Sequence, residues 1–189
     1  MTPDLESQLA DAATAQVREG FDDLDTIISN LCDEFTDDAN PAATIAPLAE
    51  RAVRRAHDLH LAEQATWPIP TDNDRLDRAF ASLEATGIVA RQHFTCCQTC
   101  GFNEIADELT PSARGFTFFH MQDTEGAVNG RGLYLAYDST TNARGDQLKI
   151  AQEIVAALEK EGLTPQWDGT TKTRILIPLT WRKRRPRTP

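Results

Sequence analysis

The chain has 189 residues, 40% of them hydrophobic and 25% charged, which is enough to bury a core without help from disulfides. No run of about 18 apolar residues is present to cross a bilayer, and a net charge of -10 argues against a nucleic-acid-binding body, because phosphate recognition needs concentrated Lys and Arg. The opening MTPDLESQLADAATAQ lacks the basic start and apolar stretch of a signal peptide, so a cytoplasmic location is expected, where thiols stay reduced and clustered cysteines bind metal, do redox chemistry or pack.

Leu5, Leu9, Ala12, Ala13 and Val17 recur at helical spacing, as do Phe21, Leu24, Ile27, Ile28, Leu31, Cys32 and Phe35, with Gly20 between the two stripes. Cys32 lies on the second stripe and reads as a buried, unreactive thiol. A third helix is predicted to begin near Pro47 and to bury Leu48, Ala52, Val53, Ala56, Leu59 and His60. Trp67-Pro68 marks its end, since proline disfavours helix in the residue before it. His57, His60 and Glu63 fall near one face of this helix and could seed a metal site. The plainer reading leaves His60 partly buried and His57 on the solvated flank with Arg54 and Asp58.

PIPTDND reads as a connector, dividing a helical region over residues 1–69 from an α+β domain over 70–181, with a basic tail over 182–189. A fourth helix has Thr71 or Asp72 as its cap, Leu76, Phe80 and Leu83 as its stripe, and Gly87 as its stop. IVARQHF then reads as a strand, and Phe102, Ile105 and Leu109 as a short helix. GFTFFHMQD and GLYLAYD are aromatic and β-branched runs joined by the glycine-bearing TEGAVNGRG, the pattern of a hairpin. Ile150, Ile154, Ala157, Leu158 and Glu161 mark a further helix stopped by Gly162. Two strands follow, TPQWD and TRILIPLTW, with Asp168-Gly169 as the turn. The predicted class is α+β: N-terminal helices, then a mainly antiparallel sheet (α-β-α-β-β-α-β-β) backed by helices.

Chemistry concentrates in two places. CysGlnThrCysGly at 97 to 101 has the C-x2-C-G form in which two thiolates can converge on one tetrahedral cation. A structural zinc needs four ligands, and no second C-x2-C exists among the four cysteines. Cys96, His93, Cys32, His120 or Asp123 would complete the set, and the favoured quartet is Cys97, Cys100, His120 and either Cys96 or Asp123. An extended strand would send adjacent Cys96 and Cys97 to opposite sides. Two other readings stand beside zinc: a redox pair of Cys97 and Cys100, with the first thiol activated at a helix N-terminus, or reduced, packed thiols.

The second place is FFHMQDTEG, which puts His120, Gln122, Asp123, Thr124 and Glu125 at a predicted strand end. A His with a carboxylate could act as base and orienter in hydrolysis. Against that, the acidic residues could cap a hairpin connection while His120 is a satisfied sheet residue. No P-loop or Rossmann glycine fingerprint occurs, so no nucleotide cofactor is expected. The tail WRKRRPRTP carries Arg182, Lys183, Arg184, Arg185 and Arg187 on an acidic body. It reads as a solvated end or a segment folding back on acidic surface, with RNA, DNA or an acidic partner as the alternative.

TDNDRLDRAFASLEATGIVARQHFTCCQTCG, FFHMQDTEGA, GLYLAYD and the closing WDG and RILIPLTW together resemble an uncharacterised bacterial family known only as a domain of unknown function. The likeness covers about residues 70 to 183 and brings no activity, cofactor or catalytic residue with it. The functional expectation therefore rests on the residues. It is a non-enzymatic binding or regulatory protein, for a protein partner or small ligand, with a Cys-rich turn able to hold a structural zinc. A thiol oxidoreductase using Cys97 and Cys100, and a hydrolase using His120, Asp123 and Glu125, are the rivals.

Overall fold

The computed structural model describes residues 3–141, 143 and 145–186. Arg187 of the basic tail lies outside the described residues. The chain divides into two compact units, one formed by residues 1–69 together with 182–189 and the other by residues 70–181.

The first unit contains three helices, α1 (Pro3–Glu19), α2 (Leu24–Phe35) and α3 (Ala42–Gln64). Their apolar stripes meet in one core made of Leu9, Ala13, Val17, Ile27, Leu31, Ile45, Ala49 and Val53. The Asp23 carboxylate caps α2 by accepting the Thr26 N–H at 2.7 Å, replacing one of the donors a helix start leaves unpaired. Cys32 is half-buried against this core. The predicted start of α3 at Pro47 is corrected: the helix begins at Ala42 and carries Pro47 inside it. Burial of Ile45, Leu48 and Ala49 outweighs the one backbone hydrogen bond that the proline removes. His57 is also buried, at 6% exposure, and not on the solvated flank.

Residues 182–186 run without regular structure within this unit. Arg185 is buried, and its guanidinium donates to the carbonyls of Val17 (2.6 Å), Asp22 (2.8 Å) and Gln16 (3.3 Å). Those carbonyls end or follow α1, where a helix has unpaired acceptors and a negative dipole end. Gln64 grips the Arg185 backbone on both sides, accepting its N–H at 2.7 Å and donating to its carbonyl at 3.0 Å. The Lys183 ammonium sits 4.6 Å from the centre of the Phe21 ring.

The second unit is α+β. In order it has α4 (Asp72–Ala85), β1 (Ile88–Arg91), α5 (Gln98–Glu104) running into a 3-10 turn (Ile105–Glu108), β2 (Gly115–Phe118), α6 (Met121–Val128), β3 (Leu133–Ser139), α7 (Asp146–Lys160) and β4 (Ile175–Ile177). The sheet order is β1-β2-β3-β4. β1 lies parallel to β2 with Ile88 opposite Gly115, while β2–β3 and β3–β4 are antiparallel, so the sheet is mostly antiparallel, as expected. α4 starts with a capping box in which the Thr71 side chain takes the Asp74 N–H and the Asp74 carboxylate takes the Thr71 N–H.

Strand alternation gives the sheet two faces. Gly115 faces α7, where an added Cβ would stand 2.7 Å from the Ile150 side chain. Phe116 and Phe118 face the other way and pack with Val89, Ile105 and Ala136. The short α5 and its 3-10 turn therefore rest on the aromatic face.

Two sequence expectations are corrected here. The predicted hairpin connection contains α6, because the strand stops at Phe118 and a helix starts after His120. TPQWD supplies only an isolated bridge, Gln166 with Leu176. No helix among the described residues is long and apolar enough to cross a membrane.

Candidate metal centre

β1 ends at Arg91, short of the predicted IVARQHF strand, because His93 and Thr95 take the left-handed region at φ 52° and 58°. Neither is glycine, so each position costs on the order of 1 kcal/mol and is held by its surroundings. Those surroundings are the start of α6. Phe94 N–H donates to Phe119 O at 2.9 Å, Met121 N–H donates to Thr95 O at 3.1 Å, and His93 Nδ1 lies 2.9 Å from Thr124 Oγ1.

This folded-back loop delivers Cys96 beside α5, where Cys97 is the extended N-cap residue and Cys100 lies in the first turn. The expected separation of Cys96 from Cys97 assumed a strand, and no strand is present. The Cys96 and Cys100 sulfurs are 3.5 Å apart, and the three sulfurs all lie within 4.8 Å of one another. Among the described residues this is the grouping of potential ligand side chains that could hold a metal ion. Cys96 is exposed, and Cys97 and Cys100 are half-exposed.

The three thiols are not equivalent. The Cys100 amide, helped by the neighbouring S–H groups, holds the Cys97 thiol below its ordinary value. Hydrogen bonds with the Cys96 and Cys97 sulfurs keep the proton on Cys100, whose value is pushed up to about 12. Of this pair, Cys97 is the sulfur the geometry favours as thiolate and Cys100 the one it keeps protonated.

Behind the thiols the chain presses against the core. Gly101 is buried, and a Cβ there would stand 2.3 Å from Phe118 Cε2, so the glycine of the C-x2-C-G pattern permits close approach to an aromatic ring. Phe118 is itself fully buried and meets Phe94 and Phe102 edge-on at 5.9 and 5.3 Å.

His120 is not in the thiol group. It is the N-cap of α6, only 5% exposed, and both ring nitrogens face Asp123. Nδ1 accepts the Asp123 N–H at 3.3 Å, and Nε2 lies 3.0 Å from Asp123 Oδ2. The same carboxylate accepts the His120 N–H at 3.1 Å and an N–H of Arg174, whose guanidinium also donates to Tyr134 O at 2.6 Å. Burial pushes the His120 imidazole below its ordinary value, against the pull of Asp123.

Gln122 and Glu125 are exposed, and Glu125 lies 3.9 Å from Arg131. The proposed hydrolase trio is thus split, with His120 and Asp123 buried together and Glu125 turned outward. His57 and His60 are buried and Glu63 is paired with Arg18 at 3.3 Å. Arg174 went unrecognised in sequence, and nothing local to TRILI marks it as the partner of a residue 51 positions earlier.

A family model described as a domain of unknown function, DUF6891, matches residues 2–185. No curated protein and no solved structure matches the chain.

Proposed function

The chain belongs to the DUF6891 domain-of-unknown-function family, and from that premise we propose a binding or regulatory protein that holds a zinc ion on Cys96, Cys97 and Cys100. One observation carries the reading: three sulfurs within 4.8 Å of one another. Zinc–sulfur bonds of about 2.3 Å at a tetrahedral angle place two sulfurs about 3.8 Å apart, and the Cys96–Cys100 separation is 3.5 Å. Small side-chain adjustments close that difference.

With His120 engaged by Asp123, the fourth position falls to water or to a donor from a partner. The ion would join the β1–α5 loop to the first turn of α5, fixing the exposed end of that segment. The reading is a non-catalytic one because, among the described residues, the grouped ligand side chains at this centre are the three thiols.

Elemental analysis of protein purified without added metal tests this reading. About one zinc per chain is expected, because structural sites hold zinc tightly at neutral pH. Less than about a tenth of an equivalent overturns it. Cys97→Ser and Cys100→Ser should lose the ion, and Cys32→Ser should keep it.

A second reading is supported by the N-cap position of Cys97 and its lowered thiol. A thiol oxidoreductase would use Cys97 as nucleophile and Cys100 as its resolving partner. Reduction of a small disulfide substrate that disappears in Cys97→Ser would favour it over the metal reading.

A further inference from the structure

We propose that the three-thiol centre is also a site of oxidation by hydroperoxides, ending in a disulfide between Cys96 and Cys100 with Cys97 left as a thiol. The last consequence of this, loss of bound metal, rests on the zinc reading above. The disulfide itself does not.

A direct sulfur–sulfur hydrogen bond marks the pair. The Cys96 and Cys100 sulfurs are 3.5 Å apart, and a disulfide needs about 2 Å, so an approach of roughly 1.5 Å joins them. The two cysteines are anchored unequally. Cys100 is inside α5, whose following residue is wedged against Phe118. Cys96 precedes the helix, is exposed, and follows Thr95 in a non-repetitive loop. Cys96 is the partner able to move, and it is the sulfur a solute meets first.

The chemistry balances without any further reagent. A thiolate sulfur attacks the near oxygen of the hydroperoxide. An S–O bond forms, the O–O bond breaks, and the departing alkoxide, or hydroxide from hydrogen peroxide, takes a proton. A second thiolate then attacks the sulfenic sulfur, the S–S bond forms, and hydroxide leaves as water. Two thiols are oxidised by two electrons and one peroxide is reduced.

If the first bond involves Cys97, the remaining thiolate lies within reach of it and exchanges. A centre of three thiols can therefore settle on its best-placed pair, which two thiols cannot do. Joining Cys96 to Cys100 removes two of the three metal donors at once, so oxidation and zinc binding exclude each other.

The test uses the full chain carrying Cys32→Ser, in metal-free and zinc-loaded forms, treated with hydrogen peroxide, alkylated and mapped by peptide mass spectrometry. In the metal-free form the thiol count should fall from three to one, with the bond at Cys96–Cys100, and Cys97→Ser should still form it. A bond mapped to Cys97–Cys100, or three intact thiols, overturns the proposal. In the zinc-loaded form a chromophoric chelator should register release of the ion in step with the bond. Retention of zinc through complete oxidation overturns the coupling. A protein that never binds zinc but forms the Cys96–Cys100 bond defeats only the metal reading.

Discussion

Gly101 and Phe118 approach so closely that a methyl group on the glycine would stand 2.3 Å from the ring. Helix propensity alone would reward Gly101→Ala by up to about 1 kcal/mol. Overpacking against a buried ring costs about 1–3 kcal/mol, and the clash wins. Gly101→Ala should lower the denaturation midpoint and weaken zinc binding about tenfold by displacing α5. The double variant with Phe118→Leu should recover part of both losses. Unchanged zinc affinity in Gly101→Ala would show that the aromatic face does not position the thiols.

Loss of the Arg185 side chain should destabilise the helical unit. Its guanidinium donates to three carbonyl oxygens from Gln16 to Asp22, and Arg185→Met removes that donor from each. The expected loss is about 3 kcal/mol in urea unfolding followed by far-ultraviolet circular dichroism. Arg185→Lys keeps the charge but not the planar fork, and should recover less than half. A change below about 0.5 kcal/mol in Arg185→Met would contradict this account.

Acid should weaken the fold before its carboxylates titrate. Burial lowers both His60 and His120, the first against the Lys183 carbonyl and the second against Asp123. A histidine lowered in the fold binds its proton more readily when unfolded, so stability is complete above about pH 6.5 and falls as pH drops below that value. Urea midpoints should fall between pH 7 and 5. His60→Gln and His120→Asn should each flatten that slope while retaining a partner for Lys183 O and for the Asp123 N–H. A slope unchanged in both variants would exclude these histidines as its source.

Alkylation should distinguish the thiols. At pH 8 in metal-free protein, iodoacetamide should modify Cys97 well ahead of Cys100, because Cys97 is held below its ordinary value and Cys100 is raised to about 12, and only the thiolate reacts. Equal rates, read from time-resolved peptide masses, would mean that the proton is not held on Cys100.

The parts legible in sequence are those whose signals are local. Thr71 announces α4 as its cap, and the apolar stripe from Leu24 to Phe35 announces α2, since each signal lies at or within its own element. Cys97 and Cys100 were recognisable by spacing. α6 was hidden because its cap is a histidine, His120, outside the usual set of capping residues, and because aromatic residues run up to it like a strand. Cys96 joined the group through positive φ at His93 and Thr95, which no glycine flagged. Asp123 and Arg174 meet only after the sheet has formed, a relationship that periodicity does not encode.

The helical unit takes its residues from both extremes of the chain, 1–69 and 182–189, with 70–181 between them. During synthesis α1, α2 and α3 leave the ribosome well before Arg185 does. The carbonyls of Gln16, Val17 and Asp22, at and after the end of α1, do without their Arg185 donor until then. This unit can begin to fold first, yet it completes its hydrogen bonding last.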